Sequence, residues 1–552
     1  MTNKEIARTF QYLGNIMELH GENPYKIRSY QNAYITLRKL DLPLADMTDQ
    51  QIGEIKGVGA AISGKIRELL DKGEMATLEK YKEMTPEGVQ EMLNIKGFGP
   101  KKIAVIWKDL GAETIGELLY AVNENRLIEL KGFGKKTQDD LKQKLEYYQK
   151  SKNKFHYAVL EKPAQELLAS LKALLPDSPM ELTGAIRRRT NTLESIEIIV
   201  AYSGDFQAAA SEVLQNMTEI SGGWSAHTVD EIPVTIYQCD KKNFGSKQFR
   251  NTGAPEFLEA FVKKYPGIDF KGIAEETAVF EKAKLPFIAP ELRESDWALE
   301  LAQADQLPQL VEDKDVKGVI HSHTTWSDGL NSLEEMVTYA RDLGYAYIGI
   351  TDHSKAAFYA NGLQPERVIQ QMAAIDELNV KMAPFRIFKG IESDILNDGS
   401  LDYEEDILRQ FDFIIASVHT NLRMDEEKAT SRLVAAIENP YTSILGHPTG
   451  RLLLSRKAYP IDHKQVIDAC AANGVAIELN ANPYRLDLDW SWIPYALEKG
   501  VLISINPDAH SREGIHDIHF GVCAARKGGL TATTCLNAKS AEDFAAFVRK
   551  GK

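Results

Sequence analysis

The sequence is poor in cysteine. Its four cysteines, Cys239, Cys470, Cys523 and Cys535, lie far apart in 552 residues and without CxxC spacing. Such a set fits neither a disulfide framework nor a thiolate zinc site, and reduced, mostly buried thiols are expected. Long apolar runs are also missing. No stretch approaches the roughly 18 apolar residues of a membrane span, and the opening "MTNKEIARTFQYLGN" is polar, without the basic and apolar segments of a secretion signal. These absences point to a soluble, cytoplasmic protein with no membrane partner. A surplus of positive charge is lacking as well: the formal net charge is -14, which excludes a protein coated in cations. With 43% apolar residues the chain nonetheless has the composition of a folded protein.

What is present is unevenly distributed. At roughly 100 to 200 residues per domain, the length calls for three or four units. Residues 1–154 hold about 25 lysines and arginines against about 22 acidic residues, leaving about 40 against 57 for the rest. Any nucleic acid should therefore be gripped first by the N-terminal part, through local geometry more than bulk charge.

Three N-terminal segments resemble one another: "EIKGVGAAISGKI" from Glu54, "NIKGFGPKKIAVI" from Asn94 and "ELKGFGKKTQDDL" from Glu129. In each, two glycines (Gly57 and Gly59, Gly97 and Gly99, Gly132 and Gly134) precede a helical pattern, so a tight turn should open a helix N-terminus. The unpaired N–H groups and positive dipole end of such a helix suit a phosphate oxygen. This helix-hairpin-helix pattern reads backbone, not bases. Lys101, Lys102 and Lys135 are placed to add charge. A single copy is commonly only a turn, but three copies spaced by roughly 35 to 40 residues point to DNA.

"GENPYKIRSYQNA" from Gly21, the first KGVG with Lys65 in its following helix, the second KGFG and then "GAIRR" from Gly184 resemble, in that order, the family X DNA polymerases. The resemblance covers residues 1 to about 295 and implies a lyase-like domain (1–82), fingers (83–152), palm (153–235) and thumb (236–298). It also implies that Lys65 matches the lysine that forms a Schiff base with a 5′-deoxyribose phosphate. Such a lysine must be neutral, which requires desolvation or neighbouring cations.

The palm departs from the pattern. Two-metal nucleotidyl transfer needs carboxylates bridging Mg²⁺ ions about 4 Å apart. Matched from Gly184 and Arg188, the family's pair of aspartates falls on Ser195 and Glu197, two apart on one strand face. The third falls on Thr235 in "IPVTIYQ", and the aromatic residue of the sugar contact is replaced by Asn251 in "RNTGA". Glu194 points to the opposite face. One anionic ligand cannot satisfy octahedral Mg²⁺, so the expectation is a palm that keeps its fold without polymerising.

After a linker at 299–314, seven apolar runs alternate with helical patterns, and each ends in polar residues: "GVIHSHTTWSDG", "YIGITDHS", "FKGIESDIL", "FIIASVHT", "SILGHPTG", "IELNANPYRLDL" and "LISINPDAHS". Alternation of this kind argues for a closed (β/α) barrel with chemistry at the strand C-terminal ends. His321, His323, Asp328, His353, Glu392, His419, His447, Asp508 and His510 fall there. A lone histidine is commonly structural; nine metal-type residues at consecutive strand ends are not.

These motifs resemble the polymerase-and-histidinol-phosphatase (PHP) family over residues 315–552. That resemblance implies one metal held by His321, His323, Glu392 and Asp508, a second by Glu392, His419 and His447, and a third by Asp328, His353 and His510. Mixed imidazole and carboxylate ligands suit Zn²⁺, Mn²⁺ or Fe²⁺ better than Mg²⁺, and metal-assisted hydrolysis of a phosphate ester follows. Arg451 and Arg485 are candidates for clamping phosphate, with a structural place equally open. Asn480, Asn482 and Asp352 read as loop-shaping groups.

The expected whole is a multidomain α/β protein: helical helix-hairpin-helix domains, an α+β nucleotidyltransferase-type palm and thumb, and a distorted (β/α)₇ barrel. Its expected activity is a monomeric, nucleoid-associated DNA-repair nuclease acting on gapped or nicked DNA, 3′ ends or abasic sites. The alternatives are a gap-filling polymerase with a proofreading barrel, a small-molecule phosphatase and a non-catalytic scaffold.

Overall fold

The computed structural model describes the chain apart from residues 41, 96–97, 129, 131, 151–153 and 550–552 and the side chains of 143 and 146–150. Gly97 of the second hairpin therefore lies outside the described residues. The chain divides into two compact units, Met1–Tyr148 and Gln149–Lys552.

The regular elements of the first unit are all helices among its described residues. Asn3–Leu19 starts at a capping box in which the Thr2 side chain accepts from the Glu5 backbone and Glu5 accepts from the Thr2 backbone. Its buried Ile6, Phe10, Leu13 and Met17 recur at helical spacing and pack against Ile27, Tyr30 and Ala33 of Pro24–Leu37. The glycine turns lead into Ala60–Lys72, Pro100–Lys108 and Lys135–Lys150.

The second unit begins with a five-stranded sheet. Ile196–Ala201 pairs antiparallel with Met180–Leu182 and parallel with Pro233–Cys239, and Gly223–His227 and Gln215–Ile220 complete the sheet. Helix Tyr157–Leu174 contributes Leu160, Ala164, Leu167 and Leu171 to its core. A cluster of phenylalanines follows, Phe249, Phe257, Phe261 and Phe280, around the fully buried Arg293. That guanidinium lies 4.9 Å over the Phe280 ring and 2.5 Å from Glu276 Oε1, so burial leaves its charge paired. Helix Trp297–Gln303 buries Ala298, Leu299 and Ala302 in the same cluster, so it runs across the thumb–linker boundary expected at 298; strand Pro233–Cys239 likewise crosses the one expected at 235.

The rest is a nearly closed barrel of seven parallel strands in chain order: Gly318–Val319, Tyr347–Ile350, Arg386–Asp394, Phe413–Ser417, Ile444–Leu445, Ala476–Asn480 and Ile503–Asn506. The first and last strands meet beyond their ends, where His323 N donates to Ala509 O at 2.9 Å. At one end, Phe544 of helix Ala541–Arg549 plugs the interior against Tyr347, Phe388 and Phe413 at ring separations of 5.2, 4.8 and 5.5 Å. Gly349 and Gly390 make room for this plug, since a Cβ at either would meet the Phe413 ring within 2.6 Å. The polar strand ends gather at the other mouth.

Candidate metal centre

At that mouth every strand contributes inward polar groups at alternate positions. His321 and His323 share a face after the first strand. Glu392 and Asp394 do so on the third, Glu478 and Asn480 on the sixth, and Asp508 and His510 after the seventh. Asp508 holds a left-handed φ of 53°, one of the strained backbone positions that cluster at functional sites.

The structure brings the nine predicted residues together. Three overlapping groups have ligand atoms within 4.8 Å of one another: His321, His323, Glu392 and Asp508; His323, Asp328, His353 and His510; and His353, Glu392 and His419. His447 Nε2 and His419 Nε2 approach the same Glu392 Oε1 at 3.0 and 3.1 Å. His323 Nε2 lies 3.1 Å from Asp508 Oδ1 and its Nδ1 3.9 Å from Asp328 Oδ1, so this ring faces two groups, where the resemblance placed it in one. His353 also reaches across, with Nδ1 2.9 Å from Glu392 Oε2.

Buried polar atoms normally have hydrogen-bond partners. Here His321 Nε2, His323 Nδ1 and Asp328 Oδ2 are buried without one. Lone pairs converging in this way fit divalent cations. Electrostatics agree: burial alone would depress His321, but Asp508, Glu478 and Glu392 outweigh it and lift its pKa well above the ordinary value. Burial, with His510 and His353 beside it, lowers His323 to about 3, leaving the neutral imidazole a ligand requires. Burial would raise Glu392, yet His419, His321 and His353 hold it well below the carboxylate range.

Two residues essential to this geometry escaped sequence reasoning. Glu478, fully buried, receives His321 Nδ1 at 2.7 Å and accepts from His447 N and Asn506 Nδ2 at 3.0 and 2.8 Å. Asp394 Oδ1 lies 2.8 Å from His419 Nδ1. Such carboxylates fix imidazole tautomer and orientation. The available signal was an acid inside an apolar strand, two positions from a named residue, in "AIELN" and "GIESD". Asp352 accepts from Thr324 N and Gln371 Nε2 at 2.8 and 2.6 Å, shaping the loop that presents Asp328. Asn480 Nδ2 donates to Asp508 Oδ2 at 2.9 Å, and Asn482 Oδ1 accepts from Tyr484 N at 3.0 Å.

The two arginines separate. Arg485 is buried beside the cluster, with a guanidinium nitrogen 3.5 Å from Asp508 Oδ2. Arg451 instead donates to Asp489 Oδ2 at 2.5 Å and to the carbonyls of Arg485 and Leu486. It braces the loop after the sixth strand, the structural one of the two places that the sequence left open for it.

In the five-stranded sheet, Ser195, Glu197 and Thr235 also meet. Ser195 Oγ and Thr235 Oγ1 are 3.5 Å apart, and Glu197 pairs with Thr235 in register. The Glu197 carboxylate, however, turns back onto the helix start at Gly184, accepting from Ala185 N at 2.8 Å and from Tyr237 OH at 3.3 Å. Gly184, at a φ of 63°, is required: a Cβ there would lie 1.9 Å from Glu197 Oε2. Burial raises the Glu197 pKa, opposed by Ala185 N–H, Tyr237 and Arg188. Arg187 pairs with Glu276 at 2.7 Å, and Arg188 with Glu294 at 3.1 Å and the Thr252 carbonyl at 2.7 Å.

In the helical unit, Gly59 and Gly99 are extended N-caps, and Gly134 O accepts from Gln138 N at 3.0 Å to start the third helix. A Cβ on Gly59, Gly99 or Gly134 would meet nothing within 4 Å. Gly57 and Gly132 take φ of 87° and 92°, as the turn requires. Lys101 and Lys135 are exposed, and Lys102 Nζ lies 5.8 Å over the Phe133 ring. Lys65 is half-buried and donates to Thr77 Oγ1 at 2.5 Å.

Residues 1–75 match the family model of a helix-hairpin-helix domain, and residues 320–482 that of a PHP domain. Over its full length the chain is 34% identical to the DNA polymerase/3'-5' exonuclease PolX of Bacillus subtilis (strain 168), with all of both chains covered. The chain belongs to the PolX family of family X DNA polymerases. Probable phosphatases of Thermoanaerobacter sp. (strain X514) and Caldanaerobacter subterraneus subsp. tengcongensis are each 30% identical to it, over 36% and 34% of this chain and 88% and 74% of theirs. The PolX family thus accounts for the order of elements: hairpins that suit DNA, a polymerase-type sheet and a barrel whose buried clusters could hold metal ions. No helix among its described residues is long and apolar enough to cross a membrane.

Proposed function

We propose that this PolX-family protein is a metal-dependent DNA phosphodiesterase whose barrel removes nucleotides from 3′ ends or cuts at abasic sites, and whose palm does not polymerise. The carrying observation is the contrast between unpartnered His321, His323 and Asp328 atoms in the barrel and a Glu197 carboxylate already bonded to Ala185 N–H. His321, His323, Glu392 and Asp508 hold one cation, Glu392, His419 and His447 a second, and Asp328, His353 and His510 a third. Zn²⁺, Mn²⁺ or Fe²⁺ suits this donor set and supplies Lewis acidity and an activated water. Arg485 steadies the anionic phosphate, and Glu478 and Asp394 hold the imidazole rings in place. The hairpin glycines let phosphate approach the helix N-termini closely, with Lys101, Lys102 and Lys135 adding charge. Lys65, on the helix after the first hairpin, is the candidate lyase nucleophile. The name of the Bacillus relative, which includes 3'-5' exonuclease, supports the 3′-end reading.

That name also includes DNA polymerase, which keeps gap filling as the second reading. A small-molecule phosphatase is disfavoured because the probable phosphatases match only about a third of the chain and leave the hairpins unexplained. The test is a 5′-labelled primer on gapped template with Mn²⁺, with and without dNTPs, beside His323→Ala. Shortening that ignores dNTPs and vanishes in the variant is expected. Extension that survives in the variant would refute the silent palm.

A further inference from the structure

A second mixed cluster lies outside the barrel mouth. Helix Ile518–Lys527 carries His519 and Cys523 one turn apart, and Glu161 faces them from helix Tyr157–Leu174 of the sheet region. His519 Nε2 lies 2.9 Å from Glu161 Oε1 and 3.6 Å from Cys523 Sγ, and the three ligand atoms lie within 4.8 Å of one another. We propose that Glu161, His519 and Cys523 form a structural Zn²⁺ site that joins the palm helix to the barrel.

Four features of the geometry support the assignment. Tetrahedral Zn²⁺ with ordinary Zn–S and Zn–N lengths separates its S and N ligands by roughly 3.5 Å, which the His519–Cys523 distance already matches. Positions i and i+4 share a helix face, so one helix supplies two ligands without rearrangement. His519 Nδ1 lies 3.0 Å from Asp313 Oδ2, the carboxylate–imidazole arrangement that orients a metal-binding histidine. Arg189 donates to Cys523 Sγ at 3.2 Å and so holds the sulfur in place facing His519. His519 and Glu161 keep 35% and 25% of their side-chain surface exposed, which leaves an entry path and room for water as the fourth ligand. The wide spacing of the cysteines concealed the site, because its second element is over 350 residues away in sequence. Cys239, Cys470 and Cys535 belong to no such group among the described residues.

Cobalt distinguishes this site from the barrel centre, whose ligands include no sulfur. Metal-free full-length protein loaded with Co²⁺ should develop a near-ultraviolet thiolate-to-cobalt charge-transfer band. The band should disappear in Cys523→Ser and in Glu161→Ala, persist in Cys239→Ser, and persist in His323→Ala, where the barrel centre is damaged. Tightly bound Zn²⁺ should fall by one per chain in Cys523→Ser, with nuclease activity retained. Absence of the band from the wild-type protein, or its survival in Cys523→Ser, would overturn the proposal and leave His519 as a protonated bridge between Glu161 and Asp313.

Discussion

The sheet around Glu197 and the mouth of the barrel both collect polar side chains at strand ends, yet they resolve them in opposite ways. In the sheet, each Glu197 oxygen has a hydrogen-bond partner within the chain, and Arg187 and Arg188 are paired with Glu276 and Glu294. In the mouth, Glu478 and Asp394 orient His321 and His419 from behind, while His321 Nε2, His323 Nδ1 and Asp328 Oδ2 remain unpartnered. A satisfied cluster stabilises a fold; one left unsatisfied at a common point is prepared for something from outside.

The largest effect should come from the mouth. His323→Ala removes a ring shared by two groups, and nuclease activity should fall by roughly 10³-fold, as loss of several kcal/mol of charge stabilisation requires. If a steady-state assay shows less than tenfold, the groups act independently and the contrast with the sheet is weaker than the geometry suggests. Glu478→Gln should cost about 10- to 100-fold in metal affinity or activity, since it touches His321 from behind; metal titration followed by calorimetry measures this. In the helical unit, Gly99→Val or Gly134→Val places a side chain where no atom of the fold lies. DNA binding should weaken several-fold with a shallower salt dependence, while thermal stability changes little.

Two predictions probe the sheet side. Glu276 is buried, which would raise its pKa, but Arg187 and Arg293 hold it below 4.5. A depressed folded-state pKa means the folded protein binds fewer protons, so this contribution is complete above pH 4.5 and is lost as pH falls through the folded value. Denaturant midpoints should decline with acid below that point, less steeply in Glu276→Gln. Smallest of all, Glu197→Ala should leave nuclease activity within about twofold and dNTP incorporation at background, while an unpaired Ala185 N–H costs about 1–3 kcal/mol of stability. A tenfold loss of nuclease activity, or dNTP incorporation by the unsubstituted protein that Glu197→Ala abolishes, would place Glu197 in catalysis and erase the contrast.

Legibility followed periodicity. Apolar runs alternating with helical patterns announced the barrel, and the pairs His321 and His323, and Asp508 and His510, showed their shared faces through two-residue spacing alone. The same rule reached Ser195, Glu197 and Thr235, but not the direction in which the Glu197 carboxylate turns. That direction depends on the gap left by Gly184 on a neighbouring element. Glu478 was visible as an acid in an apolar strand, but its contact with His321 spans 157 residues. Arg451 stayed open between two places because arginine in a loop near phosphate chemistry looks the same whether it faces the ligand or Asp489.

The sequence by itself determined the barrel, the hairpin turns and the identities of the nine residues at its mouth, because side-chain type and short-range spacing decide which face of an element a residue occupies. Only the tertiary structure decided which lone pairs remain unpartnered, which arginine braces a loop, and that Glu161, His519 and Cys523 meet. These depend on distances between elements far apart in the chain, and local periodicity carries no information about them.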